Sequence, residues 1–150
     1  MDLILWRHAE AEDGSPDAAR KLTVKGQKQA EKVAKWLKER IESPVRVLVS
    51  PAVRTQQTAS VLTEKFETSG EVGLSTSVRR VLRAAGYPTA DGTVIVVGHQ
   101  PTLGQVAAFL LTDEAAEWDV KKGAAWWFEV DDNSGEPYAS LRAVIAPREA

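Results

Sequence analysis

The sequence predicts an α/β fold: three layers, α/β/α, built on a mostly parallel mixed sheet that ends in a C-terminal antiparallel hairpin. Three observations predict it. Short continuous apolar runs, Leu3-Ile4-Leu5-Trp6, Val45–Val49 and Val94-Ile95-Val96-Val97, suit strands buried on both faces. Amphipathic helical patterns separate those runs, as in a parallel sheet covered on both sides. In the last quarter two β-like stretches follow each other directly, which suits an antiparallel pair.

The elements follow in order. The first strand leads into a polar loop over residues 10–21, with Gly14 and Pro16. Thr23 caps a helix that reaches about Ile41, with Ala30, Val33, Ala34, Leu37 and Ile41 on one face. Glu31 and Lys35 make a favourable i,i+4 pair on its outer side. Pro44 ends the connection to a second buried strand, Val45–Val49. Ser50-Pro51 then suits a helix start, a serine cap with proline at the first helical position; Ala59, Leu62 and Phe66 form the buried stripe. Residues 70–74 are expected to add a short strand. Val78, Val81, Leu82 and Ala85 make another helical stripe, closed by Gly86 as C-cap. After the third strong strand, Pro101 opens a helix with Leu103, Val106, Ala107 and Leu110 on one face. Residues 124–130 and 138–145 are the β-like stretches, joined through Asp131-Asp132-Asn133-Ser134-Gly135. Alternation places Trp126 and Phe128 on one face and Trp127 on the other, so the aromatic run is core with a partly exposed indole.

Composition narrows the function. The 150 residues match one domain, 1–150, without internal repeats. The absence of cysteine excludes disulfides, cysteine metal sites and a cysteine nucleophile, and two histidines exclude a three-histidine metal centre. With 19 basic and 21 acidic residues there is no electrostatic case for nucleic acid. No run approaches the roughly 20 apolar residues of a membrane span, and Met1-Asp2 begins no basic leader. A cytoplasmic location is expected.

In open sheets of this kind ligands bind at the carboxyl ends of the strands. Arg7-His8 follows the first strand, Ser50 and Arg54 follow the second, and Gly98-His99 follows the third. Both histidines of the chain and two arginines therefore converge on the strand ends. Counting Pro51 as the first helical position, Arg54 is the fourth, still close to a helix N-terminus that favours anions. Two guanidiniums match a phosphate dianion in charge and in bidentate geometry. A neutral imidazole is a competent nucleophile toward phosphorus, and nearby arginines disfavour the imidazolium. The second histidine can donate a hydrogen bond to phosphoryl oxygens.

These residues resemble a known family. Leu5-Trp6-Arg7-His8-Ala9-Glu10 is similar to the RHG/RHA signature of the histidine phosphatase superfamily, with its phosphoglycerate mutase-like fold. Leu22-Thr23-Val24-Lys25-Gly26-Gln27-Lys28-Gln29-Ala30 resembles its LT-x-x-G-x-x-Q-A helix start. The stretch Ser50-Pro51-Ala52-Val53-Arg54-Thr55-Gln56-Gln57-Thr58-Ala59 resembles its S-x-x-x-R-x-x-Q-T-A element, and Val97-Gly98-His99-Gln100-Pro101 resembles its second-histidine block. The four blocks keep the family order from residue 5 to about residue 101. The short chain, the Ser-Pro pair and the Gly-His-Gln-Pro segment look most like the SixA branch of phosphohistidine phosphatases.

The resemblance implies His8 as a nucleophile that becomes phosphohistidine, and a substrate pocket of Arg7, Arg54, His99 and Ser50. It implies no metal and no organic cofactor. The partner it implies is a phosphorylated protein carrying phosphohistidine, or a small phosphorylated compound. A broad small-molecule phosphomonoesterase and a non-catalytic phosphoprotein-binding module are the alternatives, although binding alone has no use for a nucleophile. Many family members carry an acidic general acid in an insert. Here Glu71 and Asp91 match no such motif, while Glu10 and Glu12 are candidates by position after His8. An alkoxide leaving group needs a proton that imidazole can obtain near neutral pH without a strong enzymic acid, which favours phosphohistidine.

Overall fold

In this computed structural model, which describes residues 1–133 and 135–150, helices and strands alternate as the apolar periodicity directs. β1 (Asp2–Arg7) is followed by a 3-10 turn at Asp17–Ala19 and α1 (Val24–Arg40). Next come β2 (Val45–Val49), α2 (Val53–Ser60) and the two-residue β3 (Glu67–Thr68). α3 (Val78–Ala85), β4 (Thr93–Gly98) and α4 (Thr102–Thr112) precede the closing pair, β5 (Ala125–Asn133) and β6 (Glu136–Ile145). Among the described residues the sheet has six strands in the order β3-β2-β4-β1-β5-β6. The first four are mutually parallel; β5 is antiparallel to β1, and β6 to β5. Among the described residues no helix is long and apolar enough to cross a membrane.

β1 and β4 sit centrally, so their side chains are buried on both faces, which is why both are continuous apolar runs. Leu3, Leu5, Val94 and Val96 pack with Val81, Leu103 and Val106 of α3 and α4. Ile4, Trp6, Ile95 and Val97 pack with Val33, Ala34 and Leu37 of α1. Each such side chain contributes about 1.5–3 kcal/mol on burial. Thr23 caps α1, its hydroxyl accepting from Gly26 N at 2.9 Å. Gly26 is required by close approach: a Cβ there would lie 1.9 Å from the Glu10 carbonyl oxygen. Gly86 ends α3 in the left-handed region at φ 75°.

Several expectations are corrected. α2 begins at Val53, two residues beyond Pro51, with Ala52 as its N-cap; the Ser50 oxygen accepts from Ala52 N and also meets His99 Nε2. Arg54 is therefore the second helical residue. α2 ends at Ser60, so Leu62 and Phe66 pack on the core from the following loop. The expected strand at residues 70–74 is a 3-10 turn at Gly70–Val72, and the edge strand is the preceding Glu67–Thr68. Val45 and Arg46 are exposed, since β2 is buried only over its last three residues. Glu31 accepts from Gln27 Nε2, and among the described residues it makes no ion pair with Lys35. β5 and β6 run longer than expected, to Asn133 and from Glu136, and the turn predicted between them includes Ser134, which lies outside the described residues.

Candidate active site

Register brings the strand ends level. Trp6 and Val49 both pair with Val97, so Arg7-His8, Ser50 and Gly98-His99 leave the sheet at one height. The His8 amide donates to Gly98 O at 3.1 Å, and the two imidazole rings face each other with centroids 5.4 Å apart, tilted by 52°. His8, Ser50, Arg54 and His99 are all buried, and Arg7 is partly so. A groove of about 350 Å3 beside α1 and β2, lined by Lys38, Ile41 and Val47, contains none of these residues.

Hydrogen bonds set the imidazole of His8. Its Nδ1 lies 2.7 Å from the Ala9 carbonyl oxygen. A carbonyl only accepts, so Nδ1 carries the proton and the neutral ring keeps its lone pair on Nε2. Burial pushes the His8 pKa down to about 3, with the charges of His99, Arg54 and Arg7 adding to the effect against the Ala9 hydrogen bond. Burial likewise pushes His99 down to about 4, helped by Arg54 and Arg7 and opposed by Asp17. Both rings are neutral at pH 7.

The remaining groups are held from several elements. Arg7 donates from Nη1 to Val120 O at 2.9 Å. Arg54 donates from Nη1 to Asp17 O at 2.7 Å and from Nη2 to Asp17 Oδ2 at 3.0 Å. His99 Nε2 meets Ser50 Oγ at 2.7 Å, and that oxygen also accepts from Ala52 N at 3.3 Å. Among the described residues, the buried side-chain nitrogens without a hydrogen-bond partner are Arg7 Nε, Arg54 Nε and His99 Nδ1. All three belong to this cluster, and the two guanidinium nitrogens are donors matched to an oxyanion. No group of three or more His, Asp and Glu side chains among the described residues could hold a metal ion.

The structure thus brings together Arg7, His8, Ser50, Arg54 and His99. It does not bring Glu10 with them: that carboxylate accepts from Thr23 Oγ1 at 2.8 Å, at the start of α1. Glu71 pairs with Arg80. Sequence reasoning missed Asp17, whose carboxylate meets Arg20 and Arg54. It also missed the scaffold: Gln29 accepts from Glu10 N, Gln57 from Leu22 N and Thr58 from Ala9 N, pinning the loop after His8 to α1 and α2. The glutamines of the helix blocks were the available signal.

Comparison with known proteins decides the family. Residues 3–79 match the model of the histidine phosphatase superfamily (branch 1), a span that contains Arg7, His8, Ser50 and Arg54. The chain belongs to the histidine phosphatase superfamily. This histidine phosphatase is an enzyme acting on phosphorylated substrates. It is 34% identical over 130 residues to a phosphohistidine phosphatase SixA homolog of Haemophilus influenzae, covering 73% of this chain and 77% of that one. It is 32% identical over 128 residues to phosphohistidine phosphatase SixA of Escherichia coli, covering 76% of each. The structure of the protein histidine phosphatase SixA complexed with tungstate matches it with a TM-score of 0.80 at 26% identity, over 99% of this chain and 98% of that one. The superfamily fold of the sequence-based expectation is therefore the fold found.

Proposed function

We propose that residues 1–150 act as one cytoplasmic catalytic domain that hydrolyses the P–N bond of phosphohistidine on a protein partner, through a phosphoryl group carried on His8. The observation that carries the mechanism is the hydrogen bond from His8 Nδ1 to the Ala9 carbonyl, which leaves Nε2 as the free nucleophile. The Nε2 lone pair forms the new P–N bond while the bond to the substrate imidazole breaks. The departing electron pair stays on the leaving nitrogen, which takes a proton from solvent. Water then attacks the phosphorus of phospho-His8, the Nε2–P bond breaks, and inorganic phosphate leaves with His8 neutral again. The Ala9 carbonyl also stabilises the positive charge that the ring acquires while phosphorylated.

Arg7 and Arg54 supply fixed positive charge and N–H donors to the phosphoryl oxygens. Ser50 acts here through His99. With the Ser50 hydroxyl donating to His99 Nε2, the neutral ring carries its proton on Nδ1, the nitrogen without a protein partner, and donates it to a phosphoryl oxygen.

The acids near the site bear on the leaving group. Two carboxylates impose their charge on the cluster, Asp17 and Asp119. Asp17 is held below the usual carboxylate range by Arg20 and Arg54, and Asp119 by Lys121 and Arg7. Both stay ionised near neutral pH, so neither can protonate an alkoxide. Imidazole leaves without such help. The similarity to SixA proteins supports the same substrate class. A panel comparing a phosphohistidine peptide, phosphoramidate and phosphoserine tests the reading. The two phosphoramidates should exceed phosphoserine in kcat/KM by about 10²–10⁴-fold, the usual worth of a general acid. Equal rates on all three would refute it.

A further inference from the structure

Asp17 lies in the loop between β1 and α1, yet each of its oxygens is engaged by an arginine. Arg20 Nη1 donates to Oδ1 at 2.9 Å, Arg54 Nη2 to Oδ2 at 3.0 Å, and Arg54 Nη1 to the main-chain oxygen at 2.7 Å. Arg20 also donates from Nε to Glu12 O at 2.7 Å, closing the loop on itself. The 3-10 turn is thereby fastened to α2 through a guanidinium whose side chain is only 5% exposed.

A guanidinium has five N–H groups. Asp17 takes one from each terminal nitrogen of Arg54. That leaves one N–H on each of them and the Nε–H, which is buried without a protein partner. Nε–H with the adjacent terminal N–H forms a fork that meets two oxygens of a phosphoryl group. The carboxylate charge also reaches the site, where it opposes the effect of the arginines on His99.

We infer that Asp17 is a positioning residue for the phosphatase reaction: it grips Arg54 so that the Nε edge faces the phosphoryl group, and it offsets part of the Arg54 charge so that free phosphate is held less tightly. The inference rests on the proposed role of Arg54 as a phosphoryl ligand. A phosphate product facing two uncompensated guanidiniums would leave slowly. A carboxylate shared between Arg20 and Arg54 loosens that hold while keeping the aim.

Asp17→Asn and Asp17→Ala separate charge from aim. In Asp17→Asn an acceptor remains and the charge is gone, so calorimetry with inorganic phosphate should show about five-fold tighter binding, and KM for phosphoramidate should fall similarly. In Asp17→Ala the grip is lost, so kcat/KM should fall by about ten-fold or more. A residue with only a structural role would weaken phosphate binding in both variants. Phosphate binding no tighter to Asp17→Asn than to wild type overturns the inference, as does wild-type kcat/KM in Asp17→Ala. Calorimetry needs no turnover. A wild-type protein that binds phosphate but leaves phosphoramidate intact overturns the proposed function, and the phosphate affinity of Asp17→Asn still decides this inference.

Discussion

Two arginines lie towards opposite ends of β2, Arg46 within the strand and Arg54 in the helix that follows it, and the fold treats them in opposite ways. Arg46, near its start, is 47% exposed; its Nε and Nη2 meet the two carboxylate oxygens of Glu67 at 2.7 and 3.1 Å, and its Nη1 meets Ala84 O at 3.1 Å. Arg54, beyond its end, is 5% exposed and keeps a buried Nε with no partner in the protein. Exposed ion pairs contribute little to stability, whereas a buried cation with unsatisfied donors costs stability. The same asymmetry holds for the whole sheet. Among the described residues the other unpartnered buried side-chain nitrogens belong to Arg7 and His99, both at the carboxyl ends of the strands. An end of the molecule that forgoes hydrogen bonds is organised for a ligand rather than for the fold.

The largest effect is expected at the nucleophile: His8→Ala should lose more than about 10⁴-fold in kcat with an unchanged circular dichroism spectrum. Wild-type turnover in that variant would remove the mechanism. Arg54→Ala should lose about 10²–10³-fold in kcat/KM. Arg54→Lys should recover little, because an ammonium lacks the planar fork. Full rescue by lysine would mean that charge alone matters.

Acid stability is a smaller effect. The folded-state pKa values of His8 and His99, about 3 and about 4, lie below the ordinary 6.5. As pH falls below 6.5 the unfolded chain takes up protons that the folded protein refuses. Stability present at neutral pH is therefore lost progressively down to about pH 3, at up to about 1.4 kcal/mol per pH unit per histidine. Urea midpoints in His8→Asn should fall less steeply between pH 7 and pH 4 than in wild type; equal slopes would contradict a buried neutral His8. The smallest effect is at Arg46: Arg46→Ala should cost under about 1 kcal/mol in the same assay and leave kcat/KM unchanged. An activity loss like that of Arg54→Ala would erase the contrast between the two ends of β2.

The central strands were legible because burial on both faces leaves an unbroken apolar run, as in Leu3-Ile4-Leu5-Trp6. The helices were legible through their period, and the two histidines and two arginines through their positions after strands. What stayed hidden depends on contacts remote in sequence. β3 is two exposed polar residues, with no alternation to detect. Ser50 carries every local sign of a helix cap, and nothing near it in sequence reveals that its hydroxyl also meets His99, 49 residues away. Asp17 reveals itself only when the loop folds back onto α2, where Arg54 waits 37 residues further along the chain.

The hydrogen bond from His8 Nδ1 to the Ala9 carbonyl makes Nε2 the phosphoryl acceptor in the proposed reaction. Rapid alkaline quench after mixing with phosphoramidate, followed by ³¹P–¹H NMR of the denatured protein, tests it directly. An acid-labile phosphoryl group on Nε2 of His8, absent in His8→Ala, is the expected result. A phosphoenzyme on Nδ1 or on His99, or turnover with no phosphoenzyme at all, would contradict it.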